Sequence, residues 1–174
     1  MFSDFGGAIL KKPLVLSAAA IIAVIIVVVA LVFLRVFRIP FFQVSVFGVS
    51  HSAVHWIGWV GTLFIAFATP VYPVVKRRHP HRIGKALYLH VVGNLVAVLL
   101  VSIHFAHQVT RPASSYPVLG TGVVLYAAMV LLVASGMVLV SGAGKKLIKH
   151  VRFLHPAFAL TFYTVIVMHI IHGI

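Results

Sequence analysis

The chain contains no cysteine and one acidic residue, Asp4. The missing thiols exclude disulfides, thiolate zinc sites, iron–sulfur clusters and the C-x-x-C-H attachment of c-type haem. The lone carboxylate stands near the N-terminus, outside every long apolar run. Carboxylate proton relays, paired-carboxylate hydrolysis and carboxylate-bridged di-iron chemistry are therefore excluded as well. Charge of either sign is scarce: 9% of the 174 residues are charged, against about 25% in a soluble domain. That is too little to build a polar surface. What is present is 62% hydrophobic residues, 14 Lys+Arg, a net charge of +13 and 11 histidines, with a mean hydropathy of +1.16. The expected solvent is lipid, and the histidines are what a lipid-embedded chain has to explain.

Cations punctuate the sequence into five apolar stretches, each near the roughly 20 residues that a bilayer span requires. They place spans at 13–34, 52–71, 86–108, 120–141 and 151–173, in one transmembrane domain covering 1–174. The expected fold class is thus all-α, an integral membrane bundle of five transmembrane helices. The first span resembles a signal peptide in position, but it ends in Phe33-Leu34-Arg35 rather than in small residues, so it is read as a span. Ile39-Pro40-Phe41-Phe42 reads as an interfacial segment. With the N-terminus cytoplasmic and the C-terminus outside, 11 of the cations fall in cytoplasmic loops and three (Arg35, Arg38 and Arg111) fall outside, as the positive-inside rule requires. The cations sit at helix ends, which suits anionic lipid headgroups and not nucleic acid. Trp56, Trp59 and Tyr116 suit an outer aromatic belt. The expected location is the cell membrane, as a multi-pass protein.

Two histidines 14 residues apart occur on the third span, His90 and His104, and two more on the fifth, His155 and His169. Fourteen residues are about 3.9 turns and about 21 Å of helix, so each pair shares a face and its members lie near opposite membrane surfaces. With one span between them the third and fifth helices run parallel. His90 is then level with His155 on the cytoplasmic side, and His104 with His169 outside. Two facing imidazoles at each level are the axial ligand set of b-type haem, which needs no cysteine. The helix between carries Gly122 and Gly136, also 14 apart. They either admit a planar ring or serve ordinary helix packing. Arg82, Lys85 and Arg152 inside, with Arg111 or Arg38 outside, are candidate partners for haem propionates.

His107 and His172 follow His104 and His169 by three residues and are alternative ligands of poorer facing geometry, or interfacial residues, or members of a proton path. His51 and His55 either border an outer quinone or metal pocket or are hydrated at the interface. His79, His81 and His150 stand among cytoplasmic cations, and Asn94 is read as a helix-packing hydrogen bond.

From its second to its fifth span the sequence resembles the di-haem membrane cytochromes b. Two histidines 14 apart on each of two parallel helices are shared by the cytochrome b subunit of quinol:cytochrome c oxidoreductases and by the ferric-reductase-like transmembrane domain. The resemblance implies transmembrane electron transfer through two haems held by His90, His104, His155 and His169. The donor and acceptor it implies are a membrane quinone and a redox partner protein, with the chain acting as a homo-oligomer or a subunit of a larger complex. These 174 residues hold no counterpart of the second half of the quinol-oxidising cytochromes, nor of a flavin and nicotinamide domain. An outer-face ferric or oxygen reductase is the alternative within redox chemistry. A metal-ion or proton transporter with a histidine-lined path is the alternative of another class.

Overall fold

A computed structural model describes residues 5–37, 42–46, 48–111, 120–142 and 145–173, the side chains of 5–11, 145, 172 and 173 apart. Among the described residues the elements are helices and one short hairpin: α1 (Phe5–Phe33), β1 (Gln43–Val46), β2 (Val49–Ser52), α2 (Ala53–Arg78), a 3₁₀ turn (Pro80–Arg82), α3 (Ile83–Tyr88), a π turn (Leu89–Gly93), α4 (Asn94–Val109), α5 (Gly120–Ser141) and α6 (Lys145–Gly173). Five helical segments are long and apolar enough to cross a membrane: Lys12–Phe33, Ala53–Arg78, Pro80–Val109, Gly120–Ser141 and Lys146–Ile171. Their outward side chains suit lipid, with Leu16, Phe67, Phe153 and Leu160 all at least 69% exposed. The second helix runs on to Arg78, beyond the expected end at residue 71, because Lys76, Arg77 and Arg78 continue its last turns. Of the expected interfacial segment, residues 39–41 lie outside the described residues, as do Arg38 and Tyr116.

The chain divides into two compact units, one of Met1–Ala20 with Pro117–Ile174 and one of Ile21–Tyr116. Within the first, α5 and α6 pack as an antiparallel pair around Leu125, Ala128, Met129, Phe162 and Ile166, all buried.

Within the second unit, α2 packs antiparallel on the rod formed by α3, the π turn and α4. Lipid gives apolar side chains no reason to prefer one another, so close backbone approach has to supply the attraction. Gly58 and Gly61 provide it. A Cβ on Gly61 would stand 2.8 Å from the Ala97 carbonyl oxygen, and one on Gly58 would stand 2.8 Å from His104 Cγ. The hairpin β1–β2, which the sequence reading did not anticipate, pairs Val44 with His51 and turns at Gly48, whose φ of +79° suits glycine. It is tied to α2 by Trp56 Nε1–H donating to the Val44 carbonyl at 2.9 Å, and the Ser52 hydroxyl caps α2 by accepting from the His55 N–H. At the end of α1, Arg35 N–H bonds the Val32 carbonyl and Val36 N–H the Leu31 carbonyl, both at 3.0 Å. This is a Schellman closure in which Arg35 holds the left-handed position, φ +56°, that glycine usually fills.

Candidate histidine centres

The two histidines of α6 are held alike. Ser135 Oγ lies 2.9 Å from His155 Nδ1, and Thr121 Oγ1 lies 3.0 Å from His169 Nδ1. Each hydroxyl immediately precedes a glycine over which the imidazole rests: Gly136 beneath His155, Gly122 beneath His169. The Ser135 hydroxyl also donates to the Leu132 carbonyl at 2.9 Å. A hydroxyl has one proton, so with that proton on Leu132 the oxygen accepts at the histidine, and His155 carries its own proton on Nδ1. The lone pair is then on Nε2. This is how a protein sets a histidine to bind iron or another metal, the second nitrogen fixing the tautomer and the ring plane. Two such imidazoles stand 14 residues apart on one α-helix, about 21 Å along its axis. Gly122 and Gly136, expected to admit a planar ring or to serve helix packing, each face an imidazole of α6: a Cβ on Gly136 would stand 3.2 Å from His155 Cε1, tighter than ordinary contact, and one on Gly122 3.5 Å from His169 Cε1, an ordinary contact.

The second unit holds His90 and His104. His90 lies inside the π turn Leu89–Gly93, which no sequence signal announced. A π turn accommodates more residues per turn than an α-helix, so the 14-residue interval leaves His90 and His104 rotated further apart than the roughly 40° of a uniform helix. His90 is instead fixed by Tyr72 on α2, stacked at 5.0 Å between ring centres, and by the Asn94 side chain, 3.2 Å from Nδ1. The buried Asn94 Oδ1 has no hydrogen-bond partner among the described residues when Nδ2 faces the histidine. Turning the amide over would let Oδ1 accept from Nδ1–H and place the His90 lone pair on Nε2. Asn94 is therefore more than the packing contact expected of it. His104 rests on Gly58 and meets the edge of His55 at 5.2 Å between ring centres. His107 is buried at 4% exposure, and the His172 side chain lies outside the described residues.

The candidate cations are placed less uniformly. Arg82 and Lys85, with His81, line a basic cavity of about 400 Å³ at the turn between α2 and α3. Arg152 is exposed in the early turns of α6. Arg111 follows the end of α4, half-buried, and desolvation lowers its pKa from the ordinary guanidinium value. Among the described residues no three His, Cys, Asp or Glu side chains are placed to hold a metal ion together.

The hydroxyl-glycine dipeptides, Thr121-Gly122 and Ser135-Gly136, are the recurring contact with the α6 histidines that sequence reasoning passed over. The signal was present: a hydroxyl precedes each of the two glycines spaced 14 apart. Comparison with protein-family models, curated proteins and solved structures found no match to this chain.

Proposed function

We propose that the protein is a di-haem membrane cytochrome b that carries electrons across the bilayer. The observation that supports this best is the matched setting of His155 and His169: each is held at Nδ1 by a hydroxyl and rests against a glycine. One such imidazole is common bundle chemistry. Two in the same setting, spaced across the apolar length of one helix, suit two metal centres at two depths.

In this reading His155 on α6 and His90 of the π turn would hold one haem b, and His169 and His104 the other. Haem iron supplies the one-electron couple when bound. The chain supplies neutral Nε2 ligands, ring planes fixed by Ser135, Thr121 and Asn94, and an apolar surround that favours the less charged state of each centre. Arg82, Lys85 and Arg152 serve the propionates at the N-terminal, cytoplasmic face, and Arg111 serves those at the other. A membrane quinone and a redox partner protein complete the path. Outer-face reduction of a ferric or other acceptor is the second reading, favoured by the imidazole-rich end of α2 beside His104.

The test is an air-oxidised against dithionite-reduced optical spectrum of the purified protein, with a pyridine haemochrome count. Two low-spin b haems per chain are expected, with one lost in each single histidine-to-alanine variant at 90, 104, 155 and 169. Loss on substitution of His107 or His172 instead would move the ligand register. Absence of a Soret band after expression with ample haem would overturn the proposal and favour a metal or proton pathway.

A further inference from the structure

His51 and His55 are absorbed by no step of the proposed electron path, yet they are closely placed, 4.3 Å between ring centres and inclined by 34°. An ion ligated by imidazole nitrogen at about 2.0–2.1 Å lies about 3.1 Å from each ring centre. Two imidazoles at right angles on such an ion therefore have centres about 4.4 Å apart, and a tetrahedral pair about 5.1 Å. The observed separation is short enough for the right-angled case. An exposed pair, His79 and His81, stands at 5.9 Å, wider than either.

The pair is also built in. His51 is on β2, in register with Val44. His55 opens α2, its N–H bound to Ser52. Trp56 locks hairpin to helix through the Val44 carbonyl and lays its edge on His51, and Trp59 lays its edge on His55. Both histidines are half-buried, so an incoming ion meets ligands with little rotamer freedom left to lose.

We propose that His51 and His55 form an open, two-imidazole site for a divalent transition-metal ion, Cu(II) foremost, with water or the ion's carrier completing the coordination. The ligand chemistry selects the class. No carboxylate other than Asp4 exists in the chain to hold a hard cation and there is no thiolate, whereas paired imidazoles favour borderline ions, with copper at the head of the divalent series and right-angled geometry its preference. Two ligands agree with the lack of a three-residue ion site among the described residues. His55 is in ring contact with His104, so the ion would sit within about 8 Å of the His104 ring centre, next to the proposed electron path. That placement has meaning only on the proposed function; the binding itself does not depend on it.

The experiment is Cu(II) titration of tag-free protein in detergent, by calorimetry and electron paramagnetic resonance, with the optical haem spectrum recorded on the same samples. One ion per chain is expected, with a tetragonal signal split by two imidazole nitrogens. His51→Ala and His55→Ala should each weaken binding at least tenfold, and His79→Ala should leave it unchanged. His51→Asn, with an unaltered circular dichroism melt, separates ligand loss from unfolding. The proposal is overturned if the wild type takes up no stoichiometric ion, if His51→Asn binds as the wild type does, or if the loss follows His79. Copper binding and haem content are scored separately, so either can fail alone.

Discussion

Substitution of Gly61 by alanine tests how α2 and α4 are held together. The added Cβ would lie 2.8 Å from the Ala97 carbonyl oxygen and 3.0 Å from Val101 Cγ2, where ordinary contact begins near 3.4 Å. The nearest obstacle is backbone within a helix and cannot rotate away, so the two helices must separate by about half an ångström along much of their shared face. Overpacking of this kind costs about 1–3 kcal/mol. Alanine is intrinsically the better helix former by up to about 1 kcal/mol, which offsets part of the cost. Gly122→Ala supplies the internal reference, since its Cβ would find only the His169 ring edge at 3.5 Å, an ordinary contact. The difference between the two variants is thus at least about 1 kcal/mol, which for a chain of this size corresponds to roughly 2–4 °C in Tm. Thermal melts by circular dichroism in one detergent, run side by side, make the measurement. A Gly61→Ala protein that melts at or above Gly122→Ala would refute the claim that glycine-mediated backbone approach holds this hairpin.

On the proposed function, Ser135→Ala should leave the fold intact and reduce haem retention at one centre by about 10- to 100-fold, the usual effect of removing a group that orients a metal-binding histidine. Haem transfer to a scavenger protein gives the number, and Ser135→Thr should restore retention. Arg35→Gly should stabilise the protein by about 1 kcal/mol, because the residue occupies a left-handed conformation that costs about that much with a Cβ present; an unchanged or lower melting temperature counts against it.

The helical plan was legible because the cations of this chain fall only between its apolar stretches, and charge is too costly in lipid to fall elsewhere. The hairpin β1–β2 was not legible: four-residue strands in an apolar chain carry no alternation to detect, and only Gly48 hinted at a turn. Nor was the π turn, since one extra residue in a helical ladder leaves no mark in composition. It qualifies the argument from 14-residue spacing at His90, whereas α6 is an α-helix throughout and gives that spacing its simple meaning. The four histidines stood out because ionisable side chains are unusual within long apolar stretches. Thr121 and Ser135 were overlooked because hydroxyls are common in membrane helices, where they usually bond a carbonyl of their own helix; Ser135 does that too.

The short turn between α2 and α3 carries a consequence for biogenesis. The two helical arms it joins are adjacent in sequence, and the contacts at Gly58, Gly61 and Gly93 are all made between those arms. The pair therefore contains its own packing instructions and can close as a hairpin in the membrane while α5 and α6 are still being translated. His155 and His169, carried by α6, are made only after that pair is complete.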